Sequence, residues 1–291
     1  MGNLTGRVAV ITGAGRGLGR EHALLLAAEG AQVVVNDPDA QAAHETVADI
    51  TAAGGDAVAD TGYVNDFDAA KALTDRAVES FGGLHVLVNN AGITRDATVV
   101  KMTEDEWDSV VSVHMKGHFN TLHHAAAYWR DRAKATGAPV NASVVNTSSG
   151  SGLRGNPGQL NYSAAKAGIA AMTLVSAREL ERYGVRVNSI SPVARTRMTL
   201  ETPGLAAKLA ACEGEFDAWH PGNVSPVVAW LAREDCHVSG QMLMIRGGRI
   251  DVYEGWTVRE THQHVGRWTL KDLDAALGRL PSAPPVHTPA L

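Results

Sequence analysis

Short β-branched segments alternate with longer helical patterns along most of this sequence, and this alternation constrains the fold more than any other feature. Strand-like runs occupy residues 7–12, 31–36, 56–59, 84–89, 141–147, 185–190 and 242–245. Helical patterns lie between them, at residues 17–29, 40–53, 66–81, 103–133 and 161–181. Strands and helices that alternate in this way form βαβ units. The sequence therefore predicts an α/β fold, with a parallel sheet covered by helices on both faces.

The domain organisation follows from the absence of any linker or repeat before residue 250. We expect one nucleotide-binding domain at residues 1–250, with a substrate lid at about residues 195–223. Residues 251–291 extend beyond it, and TLKDLDAAL within them predicts a short amphipathic helix capped by Thr269. The tryptophans of this extension should pack on the domain or on a partner subunit, where they could cover a neighbouring active site. The Pro-rich last residues are expected to be disordered.

Composition excludes several classes of protein. The 291 residues carry a net charge of −5, which gives no basic field for nucleic acid or an anionic membrane. Two cysteines cannot form a disulfide framework. A glycine turn interrupts the N-terminal segment before it reaches signal-peptide length, and no run approaches the roughly 20 apolar residues of a membrane span. We therefore expect a soluble cytoplasmic protein with no nucleic-acid partner and no membrane insertion.

A glycine-rich turn, TGAGRGLG, joins the first strand to the first helix. Glycines there let the backbone approach a pyrophosphate bound at the helix N-terminus. Such a turn can also be purely structural, and its GxxxGxG spacing is not the strict GxGxxG pattern. Its position inside the first βαβ unit favours a dinucleotide. The candidate contacts are Gly13, Gly15, Arg16, Gly17, Leu18 and Gly19.

Two residues bear on the choice between NAD and NADP. Asp37 ends the second strand, where a carboxylate can accept hydrogen bonds from the adenosine ribose and repel a 2′-phosphate. This position indicates NAD, although an aspartate there could instead cap a helix or a turn. Arg16 points the other way, because a guanidinium in the glycine turn could bind a 2′-phosphate. We expect NAD, with NADP as the alternative.

Ser149, Tyr162 and Lys166 form the candidate catalytic group. Tyr162 and Lys166 are four residues apart and so share one face of the predicted helix. An ammonium there would favour the phenolate and lower the pKa of the phenol, which could then exchange a proton with a substrate oxygen. Ser149 would hydrogen-bond the same oxygen from the end of a strand. A tyrosine and a lysine at this spacing also occur on ordinary surface helices, so the prediction depends on the serine and the glycine turn.

No metal is required for this chemistry. The two histidine pairs in the sequence, His123-His124 and His262-x-His264, each lack a third ligand at metal spacing. We therefore interpret them as surface or packing residues.

With the segment NNAG after the fourth strand, these motifs resemble the short-chain dehydrogenase/reductase family over about residues 4–250. The resemblance implies a Rossmann-type doubly wound sheet of about seven parallel strands, NAD(P)-dependent oxidoreduction at carbon–oxygen bonds, and a homodimer or homotetramer. It implies that Tyr162 is the acid/base, that Lys166 lowers its pKa and binds the nicotinamide ribose, and that Ser149 orients the substrate oxygen. The implied cofactor contacts also include Asn90, Ala91, Gly92, Pro192 and Thr196.

Three positions depart from the family pattern. His114 stands where the family has an asparagine that holds a water of the proton relay. It could hold that water, carry the proton itself, or be a buried histidine bonded to a carbonyl. Tyr63, followed by Val64, replaces an aspartate that would meet the adenine, and Val193 replaces a glycine after Pro192. We expect the last two changes to reshape the cofactor pocket without removing a chemical group.

A narrower resemblance bears on the substrate. The segments VVVND, VHMKGHF and SPVVAWLARED are similar to the (3R)-hydroxyacyl-CoA dehydrogenase domain of peroxisomal multifunctional enzyme type 2 and to its stand-alone bacterial relatives. This implies a 3-hydroxyacyl-CoA or hydroxysteroid-type substrate. Basic side chains expected at the mouth of the site could meet CoA phosphates or be ordinary solvated charge. They are Arg95, Lys101, Arg154, Arg195, Arg197 and Lys208.

Three other functions are weighed against this one. An NADPH-dependent 3-oxoacyl carrier-protein reductase is the nearest alternative, with Asp37 against it and Arg16 for it. An inactive nucleotide-sensing member would be expected to lack Tyr162 or Lys166, and both are present. A sugar-nucleotide epimerase or dehydratase would have a GxxGxxG turn and a longer C-terminal substrate domain.

Overall fold

The computed structural model describes residues 2–196, 200, 209, 216–255 and 257–281. Its chain forms two compact units that divide between Tyr253 and Glu254. Most of the expected lid at residues 195–223 lies outside the described residues, and so do Arg197 and Lys208.

A single sheet forms the centre of the first unit, with the strand order β3-β2-β1-β4-β5-β6-β7-β8. The strands are β1 Val8–Thr12, β2 Gln32–Asn36, β3 Asp56–Asp60, β4 Val86–Asn89, β5 Ala142–Thr147, β6 Val185–Val193, β7 Met242–Arg246 and β8 Arg249–Tyr253. Strands β1 to β7 pair in parallel. The strand order reverses direction between β1 and β4, as in a doubly wound Rossmann-type sheet. The predicted fold class is confirmed.

The eighth strand was not predicted. Strand β8 pairs antiparallel with β7 through a two-residue turn, Gly247-Gly248, in which Gly247 has φ +52°. A glycine pair between two β-branched runs is a hairpin signal. The prediction of about seven strands missed it because RIDVY is short and mostly exposed. Because β8 crosses residue 250, the sheet continues to Tyr253.

The helices are α1 Gly17–Ala28, α2 Ala40–Ala52, α3 Phe67–Phe81, α4 Glu104–Val111, α5 Gly117–Thr136, α6 Gly150–Arg154, α7 Leu160–Leu180, α8 Ser225–Ala232 and α9 Leu270–Leu277. Buried side chains of α1, α2 and α8 pack on one face of the sheet, and those of α3, α5 and α7 pack on the other. Strand residues alternate between the two cores, with Ile11 in the first and Val10 in the second. None of the described helices is both long and apolar enough to cross a membrane.

Side-chain caps fix the starts of several helices. The Asp39 carboxylate accepts from the backbone N–H of Ala42 at the start of α2, and Asp66 does the same for Ala69 at α3. Thr103 and Glu106 form a capping box at α4. In the second unit, Thr269 caps α9 as the sequence predicted, in a capping box with Asp272.

A π-helical turn at Ser112–Lys116 joins α4 to α5. The sequence pattern predicted helix in two parts here without specifying the join. Such turns occur frequently at functional sites, because the extra residue re-aims the side chains around it. This turn carries His114.

Candidate active site

The predicted site residues meet at the carboxyl ends of β1, β4, β5 and β6. In a doubly wound sheet this edge, at the point where the strand order reverses, is the usual ligand site. The glycine turn follows β1, Asn90 follows β4, and Ser149 follows β5. Helix α7 supplies Tyr162 and Lys166.

The glycine turn packs tightly against the segment after β4. Gly13 has φ +62°, and a Cβ there would lie 2.9 Å from the Ala91 Cα. At Gly19 a Cβ would lie 2.1 Å from the Gly13 carbonyl oxygen. The Asn90 amide donates to the carbonyls of Thr12 and Gly13 at 3.0 and 3.1 Å. These contacts require glycine at 13 and 19 and fix the shape of the turn.

The N-terminus of α1 has the features of an anion site. Gly17, the first helical residue, has φ +54°. Of the atoms in the described residues, a Cβ there would meet only those of Thr196, whose Cγ2 would be 3.8 Å away. Among the described residues, no side chain caps this helix and no acidic residue lies in its first turn. Uncapped N–H groups and the helix dipole favour a negative group. The turn therefore fits the pyrophosphate of a dinucleotide.

Asp37 and Arg16 lie beside this turn, each with a partner. The Asp37 carboxylate accepts from the backbone N–H of Gly15 and from that of Asp39, both at 3.0 Å. Arg16 forms an ion pair with Asp39 at 2.7 Å. Asp37 thus braces the glycine turn, and Asp39 offsets the charge of Arg16.

The structure brings Ser149, Tyr162 and Lys166 together. Ser149 N-caps α6, and its hydroxyl accepts from the backbone N–H of Ser151 at 3.2 Å. The same hydroxyl is hydrogen-bonded to the Tyr162 phenol. The Lys166 Nζ lies 5.4 Å from the centroid of the Tyr162 ring and donates to the Thr147 carbonyl at 2.6 Å. Lys166 is only 2% exposed, an unusual burial for an ammonium.

Burial shifts the pKa values of Tyr162 and Lys166. It raises the pKa of Tyr162, and the nearby Asp96 carboxylate raises it further, while the hydrogen bond with Ser149 partly offsets both. Burial also lowers the pKa of Lys166 to about 7. The sequence led us to expect that the ammonium would lower the pKa of the phenol. Desolvation opposes this effect, because it raises the pKa of the phenol and lowers that of the ammonium.

His114 is buried and bonded to the backbone. Its Nε2 lies 2.7 Å from the carbonyl oxygen of Ile93. Its ring meets the Tyr162 ring edge-on, with centroids 5.2 Å apart. A Cβ at Gly92 would lie 2.3 Å from the His114 ring, so a glycine is required there. Of the three expectations for His114, the contact with a carbonyl is observed, and the ring also touches the candidate acid/base.

Comparisons with known proteins agree with this arrangement. The model of the short chain dehydrogenase family matches residues 7–203. The chain belongs to the short-chain dehydrogenase/reductase family. It is an NAD(P)-dependent oxidoreductase.

Named relatives lie in the predicted branch of the family. The chain is 47% identical over 254 residues to hydroxyacyl-CoA dehydrogenase ChsB1 of Mycobacterium tuberculosis, covering 85% of this chain and 80% of that protein. It is 40% identical to peroxisomal multifunctional enzyme type 2 of Drosophila melanogaster, covering 84% of this chain and 39% of that protein. A crystal structure of a short chain dehydrogenase from Mycobacterium avium superposes with a TM-score of 0.86 at 48% identity, covering 95% of each chain. The predicted resemblance is confirmed.

The other predicted cofactor residues are placed as follows. Tyr63 is 64% exposed, whereas Val64 is buried, and its carbonyl accepts from the Asn120 amide at 3.0 Å. Pro192 lies in β6 opposite Ile245 of β7. Of Tyr63, Val64 and Pro192, Tyr63 has the most exposed side chain.

Two polar residues missed by the sequence analysis hold the site together. The Asn161 amide donates to the carbonyls of Arg95 and Glu106, both at 2.9 Å, and its side-chain oxygen accepts from the backbone N–H of Tyr162 at 2.7 Å. The Gln159 amide donates to the Asp96 carboxylate at 2.8 Å. Both residues lie just before Tyr162, but their partners are more than fifty residues away in the sequence.

The expected basic rim is partly engaged in the protein itself. Arg154 donates to the Tyr253 hydroxyl at 3.0 Å, and Arg95 donates to the carbonyl of Thr94 at 2.7 Å. Within the described part of the chain, no group of three or more His, Cys, Asp or Glu side chains could hold a metal ion.

Proposed function

We propose that this protein is an NAD-dependent dehydrogenase that interconverts a secondary alcohol and a ketone, on a 3-hydroxyacyl-CoA or hydroxysteroid-type substrate. The observation that carries the proposal is the convergence of Ser149, Tyr162 and Lys166 at the sheet edge that also holds the glycine turn. A small-molecule alcohol that reaches the phenol there lies beside the nucleotide site.

Each side chain has a distinct role in the proposed reaction. In oxidation the substrate hydroxyl binds between Ser149 and Tyr162, and the phenolate accepts its proton. The nicotinamide supplies the hydride acceptor when it is bound. Lys166, which donates a hydrogen bond to the Thr147 carbonyl, stabilises the phenolate and binds the nicotinamide ribose. The His114 ring contacts the Tyr162 ring edge-on. Reduction reverses each step.

Tyr162→Phe is the direct test of this assignment. The ring packing is kept and only the hydroxyl is lost, so the melting temperature should change little. The rate constant for oxidation should fall about 10²–10⁴-fold, the range typical of a lost general acid/base. A variant with wild-type turnover would contradict the assignment of Tyr162.

The cofactor assignment rests on the charges around the glycine turn. Asp37 presents a carboxylate at the end of β2, and Arg16, which could attract a 2′-phosphate, is paired with Asp39. An added phosphate would have to approach two carboxylates to reach one guanidinium that is already neutralised. The cofactor contacts proposed with Asp37 are Gly13, Gly15, Gly17, Leu18, Gly19, Tyr63, Val64, Asn90, Ala91, Gly92, Pro192 and Thr196.

Separate titrations with NADH and NADPH, followed by nicotinamide fluorescence, test this choice. Asp37→Asn removes the charge but keeps an oxygen for the Gly15 N–H, so it should weaken NADH binding and narrow the preference over NADPH. Asp39→Asn is the matched control, since it releases Arg16 and should improve NADPH binding without weakening NADH. Tighter NADPH binding by the wild type would overturn the assignment.

A second candidate is an NADPH-dependent 3-oxoacyl carrier-protein reductase. The position of Arg16 beside the turn favours it, because the Arg16–Asp39 pair is more than a third exposed at both side chains and can open at low cost. The cofactor titration distinguishes this candidate from the first.

The substrate class follows from the hydroxyacyl-CoA relatives more than from the basic rim, because Arg154 and Arg95 already have partners within the chain. The test compares kcat/KM with NAD for 3-hydroxyacyl-CoA esters of increasing chain length and for hydroxysteroids. A preference for free hydroxysteroids over every CoA ester would show that the substrate is of the hydroxysteroid type. Turnover of neither class would contradict the proposed substrate.

We also infer a cytoplasmic homodimer or homotetramer. The free thiol of Cys236 is buried, which suits a reducing compartment. A groove of about 650 Å³ runs between α5 and α7 and is lined mainly by apolar residues, among them Phe119, Leu122 and Val175. Phe119 and Val175 are exposed along it, so a second copy of the chain would bury them.

A further inference from the structure

The buried region that holds the Lys166 amino group also contains polar atoms without a hydrogen-bond partner among the described residues. The described hydrogen bond of the amino group goes to the Thr147 carbonyl. An ammonium has three N–H groups, so two remain for other partners. Three buried atoms in this region have no hydrogen-bond partner among the described residues. They are the His114 Nδ1, the His118 Nε2 and the Thr147 Oγ1.

His118 lies one helical turn after His114, and both imidazoles are buried. The His118 ring is hydrogen-bonded to the backbone carbonyls of His114 and Asn89, and the Lys166 charge acts on both rings. A ring nitrogen that donates to carbonyls carries the proton, so the unpartnered Nε2 of His118 is a bare acceptor. The His114 Nε2 lies 2.7 Å from the Ile93 carbonyl oxygen and 3.1 Å from the Ile93 backbone nitrogen. The shorter contact places the proton on Nε2, because two lone pairs would repel each other at that distance, and so leaves Nδ1 bare.

Both histidines remain neutral at physiological pH. Burial lowers the pKa of His118 to about 3, and burial with the Lys166 charge holds the pKa of His114 well below its ordinary value. The other titratable groups facing this region are Tyr162 on α7 and Asp96, which acts on that phenol. Neutral imidazoles can accept from an ammonium without repelling it as a second cation would.

We propose that His118 is a positioning residue for Lys166. Its Nε2 is not bonded directly to any described atom, and it accepts a hydrogen bond from the ammonium through one ordered water. This contact stabilises the charged form of Lys166 beside the Tyr162 phenol. Buried polar atoms are almost always satisfied by protein or ordered water. This assignment gives the His118 Nε2 a donor and leaves one N–H group of Lys166 for the nicotinamide ribose.

The test is the titration of Lys166 itself, read by NMR of protein labelled with ¹³C at the lysine side chains. The chain has seven lysines, and Lys166, with a pKa of about 7, should titrate well below the ordinary range of a lysine. Lys166→Met assigns its resonance. This measurement needs neither substrate nor nicotinamide, so its result does not depend on whether the proposed function is correct.

His118→Asn and His118→Leu remove the acceptor at the Nε2 position, whereas His118→Gln keeps an oxygen there. Loss of an acceptor destabilises the ammonium, so the first two variants should lower the pKa of Lys166 by about one unit. His118→Gln should stay near the wild type. Two different acceptor-free variants guard against one that fails to fold.

His22→Asn is the matched control. His22 is also buried, its Nδ1 is bonded to the Ser225 hydroxyl at 2.8 Å, and its Nε2 has no partner among the described residues. It lies on α1, and burial alone lowers its pKa. This variant should lose stability and leave the Lys166 titration unchanged.

The wild type gives a second, mutation-free measurement. The ¹⁵N resonance of the His118 Nε2 should shift with the same midpoint as Lys166, because the hydrogen bond that it accepts weakens when the ammonium deprotonates. The proposal would be overturned if the Lys166 titration were unchanged in the acceptor-free variants. It would also be overturned if the ¹⁵N resonance of the His118 Nε2 did not shift as Lys166 titrates.

The consequence for catalysis rests on the proposed function. A less charged Lys166 stabilises the phenolate less, so His118→Asn should lower kcat for oxidation about tenfold near neutral pH. It should also move the acid limb of the kcat profile to higher pH, while His118→Gln restores both. An inactive wild type with the expected Lys166 titration would refute the proposed function alone. Normal wild-type activity with no variant effect on either readout would refute the role of His118 alone.

Discussion

At the scale of single residues, one carboxylate acts on the candidate acid/base from outside the motif. Asp96 raises the pKa of Tyr162 by charge repulsion, and the Gln159 amide holds its carboxylate at 2.8 Å. The proton acceptor in alcohol oxidation is the phenolate, so Asp96 delays its formation as pH rises. This arrangement suits an enzyme whose phenol must also donate a proton in reduction.

Asp96→Asn tests this effect. The change removes the charge and keeps an oxygen for Gln159, so the pKa of Tyr162 should fall. A lower pKa forms the phenolate at lower pH, so the acid limb of the oxidation profile should move to lower pH. Asp105→Asn, an exposed acid at the start of α4, is the control and should leave the profile in place. A profile unmoved by both variants would show that Asp96 does not act on the phenol.

Short motifs in the sequence were enough to predict the residues that converge at the site. Ser149, Tyr162 and Lys166 stand at a spacing that constrains their geometry, and the structure places them together. Asn161 and Asp96 could not be found in this way, because each acts through a partner that only the folded chain brings near. The net shift in the pKa of Tyr162 could not be predicted for a related reason: sequence spacing indicates which side chains are neighbours, but it does not show how deeply they are buried.

At the scale of elements, the turn between β1 and α1 is the part of the nucleotide site that tolerates substitution least. Helix α1 approaches the chain after β1 so closely that a Cβ at Gly19 would overlap the Gly13 carbonyl. That contact aims the first turn of the helix at the ligand side of the sheet. The shape of this turn depends on the close approach of two backbone segments and not on any side chain.

Gly19→Ala should therefore weaken NADH binding at least tenfold and lower the free energy of unfolding by about 1–3 kcal/mol, the usual range for overpacking. Fluorescence titration and chemical denaturation measure the two effects. Gly248→Ala is the control, since a Cβ there meets nothing within 4 Å. A Gly19 variant that binds like the control would mean that the turn relaxes at no cost.

The regular elements were predictable because their periodicities are strong and their ends carry caps or glycines. The two features that were missed break that regularity. The π-helical turn at Ser112–Lys116 adds one residue to a helix, which leaves the apolar pattern almost unchanged. Strand β8 is short, and Arg249, Ile250 and Val252 are exposed, so it lacks the apolar run that identified the other strands.

At the scale of the whole molecule, the groove between α5 and α7 determines the expected assembly. Val175 is 54% exposed at its centre. Val175→Asp places a charge on a surface that a second copy would desolvate, so light scattering should show a smaller assembly than the wild type. Ala53→Asp, on the exposed end of α2, is the control and should leave the size unchanged. An unchanged size for Val175→Asp would mean that subunits associate elsewhere.

The second unit, from Glu254 onward, makes a separate prediction about assembly. Its described residues include exposed Leu270, Leu277 and Leu280, and apolar side chains of this kind are costly to leave in water. If they pack on a partner subunit, a chain that ends at Tyr253 should form a smaller assembly and still fold. The cut must follow Tyr253, because all five residues of β8 pair with β7.

A chain that ends at Leu280 is the matched control, because it loses only the Pro-rich last residues and keeps α9. It should retain the wild-type assembly size and turnover. If the chain ending at Tyr253 has a smaller assembly and reduced turnover, the extension supports both the assembly and the activity of its neighbours. If both truncated chains match the wild type in size and rate, residues 254–280 serve neither, and the groove between α5 and α7 alone would account for the assembly.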